Sequence, residues 1–244
     1  MRLRLTLACL FFSAQASAFG VDGWYDPAFL ESQGQVGGSG FIHVPSAEVL
    51  PDGVLAAGIH RYNAKASRGF FGVLEAGLGV ELEGWKLNDA EKVNLFNFRL
   101  SILKRERHKV SLALGADGIG PEDLGLKSLG YVARPEFEAQ DRLYAVASAL
   151  VPGLPMALLT LGWGGGSQAS HPFGCLSVSP LDGLLVLAEY DGVGTNLGSR
   201  LFLSSQIKLD VTFNHTQSVY GDQPFSRVLQ ENIRFGVSYT EVWP

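Results

Sequence analysis

Apolar residues recur at every second position over long stretches of the chain after Val54. Between Leu74 and Leu82 each even-numbered residue is apolar, and Glu or Gly fills every position between them. The runs 96–102, 207–213 and 233–239 alternate in the same way, with polar residues or Gly in between. This alternation is typical of β-strands with one apolar and one polar face, and no stretch has the 3.6-residue period of a helix. The sequence therefore predicts an all-β protein.

Twelve segments have the pattern or the composition of a strand. They are 54–62, 72–83, 93–103, 109–116, 127–135, 142–151, 156–163, 173–180, 184–190, 196–204, 206–215 and 231–240. Most are long enough to cross a bilayer, which takes about 9–11 tilted residues, whereas strands of soluble sandwiches commonly have about 5–6. The predicted fold class is therefore an antiparallel transmembrane β-barrel of about 12 strands over residues 54–244.

The connections between the predicted strands alternate between short and long in the second half of the chain. The short ones are 152–155, 180–183 and 204–205, and the long ones are 164–172, 191–195 and 217–230. Outer-membrane barrels have short periplasmic turns and longer external loops, so this order supports that architecture. In the first half, the connections 84–92 and 117–126 are long where the scheme expects short turns.

The start of the chain has the pattern of a secretory signal. Two arginines, Arg2 and Arg4, precede an apolar run at 5–12, and the small-residue triplet Ala-Ser-Ala follows at 16–18. The apolar run is about half the length that a membrane-spanning helix needs. We therefore predict a signal peptide at residues 1–18, cleaved after Ala18, which directs the protein out of the cytoplasm.

Composition and charge exclude some functions and leave one alternative open. Charged residues make up 18% of the chain and the net charge is −5, so no basic face is available to neutralise nucleic-acid phosphates. In a membrane barrel the apolar strand face points outward, whereas in a soluble barrel it points inward. The signal, the long strands and the Gly-rich polar face favour the membrane barrel. The alternative is a soluble secreted β-barrel that binds an apolar ligand in its interior.

In the membrane interpretation the polar strand faces line the lumen of the barrel. The candidate lumen-facing residues are Glu75, Glu81, Arg99, Arg200, Lys208, Asp210 and Arg234. Their mixed signs fit a hydrated conduit for polar solutes. They fit equally a salt-bridged interior that keeps a narrow barrel closed. The sequence leaves both possibilities open.

Residues 19–53 differ from the alternating region and are predicted to be a periplasmic or lumenal lead-in segment. The stretch 39–53 reads Ser-Gly-Phe-Ile-His-Val-Pro-Ser-Ala-Glu-Val-Leu-Pro-Asp-Gly. It resembles the opening of the YjbH-like outer-membrane proteins, which leads into their first strand. The residues that carry this lead-in motif are Gly40, Pro45, Ser46, Pro51 and Gly53. Pro and Gly at these positions would fix a stiff segment that does not pair with the sheet.

Two later stretches are also similar to these proteins, namely 74–77, and 188–192 followed by Asn196 and Gly198. The resemblance implies an outer-membrane β-barrel associated with exopolysaccharide production or export. It also implies membrane lipid, polysaccharide and export proteins as partners. The last predicted strand is followed closely by Trp243, and the barrel-assembly machinery reads an aromatic residue near this position in outer-membrane barrels. We therefore expect that machinery to be a further partner.

The sequence lacks recognisable motifs for catalysis or cofactor binding. The Gly-rich stretch 162–166 lacks the Lys-Ser/Thr of a phosphate-binding loop, and the five histidines lack metal-ligand spacing. Only Cys175 remains after the predicted cleavage, so no internal disulfide is expected. The basic run 104–109 fits either a grip on lipopolysaccharide phosphates or a solvated hairpin turn. We predict a non-enzymatic protein, without cofactor or metal, in the outer membrane, involved in exopolysaccharide export or envelope structure.

Overall fold

The structure, a computed structural model, describes residues 40–51, 53–63, 68–77, 81–83, 96–119, 142–166, 170–192, 194–213 and 233–242. The predicted signal peptide at 1–18 and the predicted strand at 127–135 lie outside these ranges. Among the described residues, no helix has the length and apolar character to span a membrane.

The described chain consists almost entirely of strands, so the prediction of an all-β protein is confirmed. The strands are β1 (Val54–Asn63), β2 (Arg68–Gly77), β3 (Glu81–Glu83), β4 (Phe96–Leu103), β5 (Val110–Ile119), β6 (Arg142–Val151), β7 (Leu154–Gly166), β8 (Ser170–Leu181), β9 (Leu184–Tyr190), β10 (Thr195–Phe202), β11 (Ile207–Phe213) and β12 (Ile233–Val242). One helical turn, α1 (Arg105–His108), joins β4 to β5.

Each strand pairs antiparallel with the strands before and after it in the chain, so the prediction of an antiparallel sheet is confirmed. The first and last strands also pair with each other, from Val54 opposite Val242 to His60 opposite Gly236. The described strands therefore follow one another in a closed order, β1-β12-β11 and so on back to β2. Closure satisfies the hydrogen-bonding groups that an open sheet leaves bare at its edges.

The prediction of a single strand over 72–83 is wrong, because the chain reverses within it. Gly77 lies opposite Glu81 and Glu75 lies opposite Glu83, so β2 and β3 form a hairpin joined by three residues. A connection with an odd number of residues keeps odd-numbered positions on the same face of both strands. The apolar and polar residues therefore alternate without interruption through the reversal, and the pattern alone did not reveal it.

The connections differ in length between the two ends of the barrel. At one end, the turn end, they are 78–80, 104–109, 152–153, 182–183 and 203–206. At the other, the long-loop end, they are 64–67, 84–95, 120–141, 167–169, 191–194 and 214–232. The two long connections that disagreed with the predicted scheme thus fall at the same end as 214–232. The disagreement arose because 72–83 contributes two strands rather than one, and because β5 pairs directly with β6.

The polar face of the strands is buried and the apolar face is exposed. In β11, Lys208, Asp210 and Thr212 are buried, whereas Ile207 and Val211 are exposed. Buried polar residues on the strands are His60, Glu75, Arg99, Ser111, Ser148, Thr160, Ser177, Glu189, Asn196, Arg200, Lys208, Asp210, Thr212 and Ser238. Large exposed apolar residues include Ile59, Leu74, Leu100, Leu114, Leu143, Leu161, Trp163, Leu176, Val186, Leu197, Phe235 and Val237. This arrangement is opposite to that of a soluble barrel with an apolar core.

Glycines in the strands make room for large residues inside the barrel. Gly236 lies opposite His60, and a Cβ at Gly236 would stand 2.2 Å from Nδ1 of that ring. Gly162 lies opposite Phe173, and a Cβ there would stand 2.2 Å from the phenyl ring. Such a contact is far below van der Waals distance, so the strands need glycine at these positions. The Gly-rich polar face thus reflects crowding of the interior.

Candidate functional site

Residues 40–51 lie inside the barrel and fill part of it. Phe41, Ile42, Val44 and Ala47 are each 1% exposed and pack in one apolar cluster with inward side chains of β5–β10. The strand residues of that cluster are Ala113, Tyr144, Val146, Leu158, Phe173, Cys175, Leu185, Leu187 and Phe202. We call residues 40–48 the finger. Burial of these side chains stabilises the finger in its place.

The finger begins with a tight turn that its sequence prescribes. Gly40 and Pro45 form an isolated β-bridge, and the Phe41 N–H donates to the Val44 carbonyl at 3.0 Å. A Cβ at Gly40 would stand 2.7 Å from the Val44 oxygen, so a larger residue does not fit this turn. Pro45 and Ser46 are both buried, and the Ser46 hydroxyl accepts the Glu48 N–H at 2.9 Å. Three residues of the lead-in motif thus shape the finger.

Glu189, at the long-loop end of β9, forms hydrogen bonds with residues 42–44, which we call the tip of the finger. Its Oε1 accepts the His43 N–H at 2.7 Å, and its Oε2 accepts the Ile42 and Val44 N–H groups at 2.9 and 3.2 Å. Asn196 Nδ2 on β10 donates to Oε1 at 2.9 Å. The buried carboxylate therefore satisfies three successive backbone donors that the turn leaves without partners in a strand or helix.

Arg200, on β10, holds the opposite side of the turn. Its Nη1 and Nη2 donate to the Gly40 and Phe41 carbonyls at 3.0 and 3.2 Å. Its Nε donates to Asp210 Oδ1 on β11 at 2.6 Å, and the two side chains are 1 and 2% exposed. Arg200 thus joins the finger to the neighbouring strand pair through a fully buried ion pair.

A second group of contacts holds the rest of the finger to β4, β5, β6 and α1. Arg99 Nη1 donates to the Ser46 carbonyl at 3.2 Å, and the Ala47 N–H donates to Ser148 Oγ at 3.3 Å. Glu48 accepts from the Ser111 hydroxyl at 2.5 Å and forms an ion pair with Arg105 Nε at 3.2 Å. The finger is therefore fixed to both sides of the interior.

The chain leaves the interior at the turn end, where Pro51 and Gly53 pass close to Gly77 of β2. We call this contact the crossing. The Gly53 N–H donates to the Gly77 carbonyl at 2.9 Å, and the Val54 N–H donates to the Pro51 carbonyl at 3.1 Å. Gly53 has a φ of +78°, a conformation that favours glycine. A Cβ at Gly77 would stand 1.8 Å from the Pro51 oxygen, so this crossing also requires glycine on β2. These contacts account for Pro51 and Gly53 in the lead-in motif.

The structure places five of the predicted lumen-facing residues at buried inward positions, namely Glu75, Arg99, Arg200, Lys208 and Asp210. Lys208 Nζ donates to Thr240 Oγ1 at 3.1 Å and lies 5.8 Å from the centroid of the Phe202 ring.

The two other predicted lumen-facing residues, Arg234 and Glu81, are not among the buried residues of the described structure. Arg234 is half-buried, with Nη1 3.4 Å from His43 Nε2. Glu81 lies opposite Arg99 in the β3–β4 register, and its side chain is outside the described part of the structure. Arg200 and Arg99 contact the finger backbone directly, so the predicted set includes two of the groups that hold it.

Sequence reasoning missed Glu189 and Asp191 as site residues. The run Leu184–Leu187 is apolar on both faces, because Leu185 and Leu187 pack against the finger and Val186 points outward. Without alternation in this run, the direction of Glu189 could not be assigned. The available signal was the predicted resemblance of 188–192 to a stretch of the YjbH-like proteins.

His43, Glu189 and Asp191 bring three potential metal-ligand atoms within 4.8 Å of one another. Asn196 Nδ2 lies between them, 2.9 Å from Glu189 Oε1, 2.9 Å from Asp191 Oδ2 and 3.4 Å from His43 Nδ1. The amide nitrogen thus takes the position that a cation bound by these three groups would need, and Glu189 already accepts four donors. The group is better described as a hydrogen-bonded cluster at the tip of the finger.

The basic run 104–109 lies at the turn end, where α1 forms a single helical turn between β4 and β5. The prediction of a solvated hairpin turn holds for His108 and Lys109, which are exposed, while Arg105 pairs with Glu48 of the finger. One arginine of the run therefore has a structural role.

Comparison with known proteins leaves the family of the chain undetermined. No protein-family model matches the sequence, and no curated protein matches it. The resemblance of residues 39–53 to the YjbH-like proteins therefore stays a prediction.

Proposed function

We propose that the protein is a non-enzymatic outer-membrane β-barrel whose interior is closed by residues 40–51. We further propose that it serves exopolysaccharide export or the structure of the cell envelope. The observation that carries the proposal is the direction of the strand faces. Buried charges occupy the interior, and leucines, valines and aromatic residues cover the outside of the barrel. Soluble monomers rarely expose contiguous apolar patches larger than a few hundred Å², whereas a bilayer requires such a surface.

Aromatic residues toward both ends of the outer surface support the same proposal. Trp163 and Tyr190 lie toward the long-loop end, and Tyr239 lies toward the turn end, all three exposed. Membrane barrels carry aromatic girdles at the two interfaces, because amphipathic rings favour the headgroup region. The exposed leucines between these levels, such as Leu161 on β7, would then face the hydrocarbon.

The difference between the two ends supports an orientation in the membrane. In outer-membrane barrels the short turns face the periplasm and the long loops face outward. By this rule the turn end, with α1 and the crossing at Gly53, faces the periplasm. The basic run 104–109 then lies on the side away from the lipopolysaccharide leaflet, which favours its structural role over a grip on lipid phosphates.

The alternative, a soluble barrel with an apolar ligand inside, is less well supported. It requires an apolar inner face that is free for a ligand and a polar outer face. Here the apolar part of the inner face is covered by Phe41, Ile42, Val44 and Ala47, and the outer face is apolar.

Fractionation of cells that express the full chain tests the location. We expect the protein, processed after Ala18, in the outer-membrane fraction, where it resists high-salt and carbonate washing, because its outer face is solvated by lipid. Recovery in the soluble periplasmic fraction would contradict the proposal.

The same cells test the role in the envelope. Deletion of the gene is expected to lower the amount of polysaccharide in the medium, and the wild-type gene is expected to restore it. If polysaccharide is unchanged while detergent sensitivity rises, the structural role is the one supported. No effect on either measurement would contradict both roles.

A further inference from the structure

We propose that the finger, residues 40–48, is a gate that leaves its closed position as a unit, with Glu189 as the latch and Leu50, Pro51, Gly53 and Val54 as the fixed base. The inference rests on the proposed membrane barrel and adds the way in which its interior opens. Four features of the interior carry it.

The first feature is that many of the hydrogen bonds between the barrel and the finger go to the finger's backbone. Glu189 accepts three backbone N–H groups, Arg200 donates to two carbonyls, and Arg99 donates to a third. Backbone N–H and carbonyl groups also form hydrogen bonds with water. Water can therefore replace the bonds to the barrel when the finger moves into solvent. The finger can therefore exchange these hydrogen bonds for bonds to water, while the burial of its four apolar side chains favours the closed position.

The second feature is that the barrel residues holding the finger also have partners on the barrel itself. Arg200 retains Asp210 at 2.6 Å, and Glu189 retains Asn196 at 2.9 Å. Arg99 retains the Tyr144 hydroxyl at 3.0 Å, and the Ser148 hydroxyl retains Thr160 at 2.7 Å. A buried charge left without any partner is strongly unfavourable. When the finger withdraws, these groups keep their partners on the barrel. The free energy of the open barrel is therefore not raised by an unpaired buried charge.

The third feature is a division in the apolar packing. Phe41, Ile42, Val44 and Ala47 belong to the cluster with β5–β10, whereas Leu50 belongs to a separate cluster with Val54 and Ala56 on β1. The division coincides with the crossing at Gly53 and Gly77, which ties the base to β2. The finger and its base are thus separate packing units, and the chain between them can act as a hinge.

The fourth feature is the position of Glu189 at the tip of the finger, far from the base. One carboxylate accepts the N–H groups of three consecutive residues, Ile42 to Val44. Loss of its charge weakens all three hydrogen bonds at once, since charged acceptors bind more strongly than neutral ones. The side chains that the finger covers include Arg99 and Arg200, so an opened interior would admit water and ions.

Conductance in planar lipid bilayers tests the gate. We expect the wild-type protein to open rarely and Glu189→Gln to raise the open fraction at least about tenfold. The matched control is Glu241→Gln, the same change at a half-buried carboxylate near the turn end that bonds Gln206 and Tyr239. The control is expected to behave like the wild type.

A disulfide that locks the finger completes the experiment. Ala47→Cys and Ser148→Cys are introduced with Glu189→Gln and Cys175→Ser, because the Ala47 nitrogen lies 3.3 Å from Ser148 Oγ. Oxidation is expected to abolish the added conductance, and a reductant is expected to restore it. Persistence of the conductance in the oxidised, cross-linked protein would overturn the gate.

The outcomes separate the gate from the barrel on which it rests. If Glu189→Gln is retained in the membrane, migrates as a folded barrel and conducts no more than the wild type, the gate is overturned and the membrane barrel stands. If Glu189→Gln does not fold, His43→Pro tests the same latch from the finger, because it removes the N–H that donates to Glu189 Oε1, and unchanged conductance there overturns the gate. Failure of the wild-type chain to enter membranes overturns the proposed function itself.

Discussion

Arg200→Met is expected to lower the free energy of unfolding by about 3–5 kcal/mol, because it leaves a buried carboxylate without its cation. Arg200 and Asp210 are almost fully buried and lie 2.6 Å apart, and the guanidinium also binds two finger carbonyls. Urea unfolding in detergent micelles, followed by the loss of the heat-modifiable folded band in gels, measures the change.

Two further variants give this prediction its controls. Arg61→Met makes the same change at a half-buried residue on the outward side of β1, and we expect a shift within about 0.5 kcal/mol. Combining Arg200→Met with Asp210→Leu is expected to be less damaging than the sum of the single changes, because no charge is then left alone. Equal effects of Arg200→Met and Arg61→Met would contradict the buried ion pair.

Leu161→Arg is expected to destabilise the membrane-embedded barrel by about 2–4 kcal/mol, because it places a charge near the middle of the bilayer. Leu161 lies in the middle part of β7 and its side chain is 58% exposed on the outer face. Reversible unfolding from lipid vesicles measures the change.

Leu181→Arg is the matched control, since Leu181 is 67% exposed but lies at the turn end of β8. Charges near the membrane interface are tolerated, so we expect a cost of about 0–1 kcal/mol there. The two sites are similarly exposed, and a barrel surrounded by water would tolerate both substitutions alike. Two equally small effects would therefore contradict the lipid-facing surface.

The strands and their faces could be predicted from the sequence because a closed antiparallel sheet has a strict two-residue period. In β11 and β12 each apolar residue of the alternating pattern points outward, and each polar residue or glycine points toward the interior. The hairpin of β2 and β3 was missed because its three-residue connection preserves the pattern, and only the pairing of Glu75 with Glu83 reveals the reversal.

The interior site was less accessible to sequence reasoning, because its contacts join distant parts of the chain. Ile42 and Glu189 are separated by 147 residues, and Gly40 and Arg200 by 160. The finger has no strict two-residue alternation, since the adjacent residues Phe41 and Ile42 are both apolar and both buried. The lead-in motif did identify the glycines and prolines that shape it, although neither spacing nor composition indicated which strands it contacts.

The central claim is that lipid surrounds the outer face of the barrel, and quenching of Trp163 fluorescence tests it most directly. Trp163 is 58% exposed on β7 and lies toward the long-loop end. In a variant with Trp24, Trp85 and Trp243 replaced by Phe, Trp163 is the only tryptophan. In vesicles, lipids brominated in the upper part of the acyl chain are expected to quench its emission strongly, and aqueous acrylamide is expected to quench it weakly. Strong quenching by acrylamide with none by brominated lipid would contradict the claim.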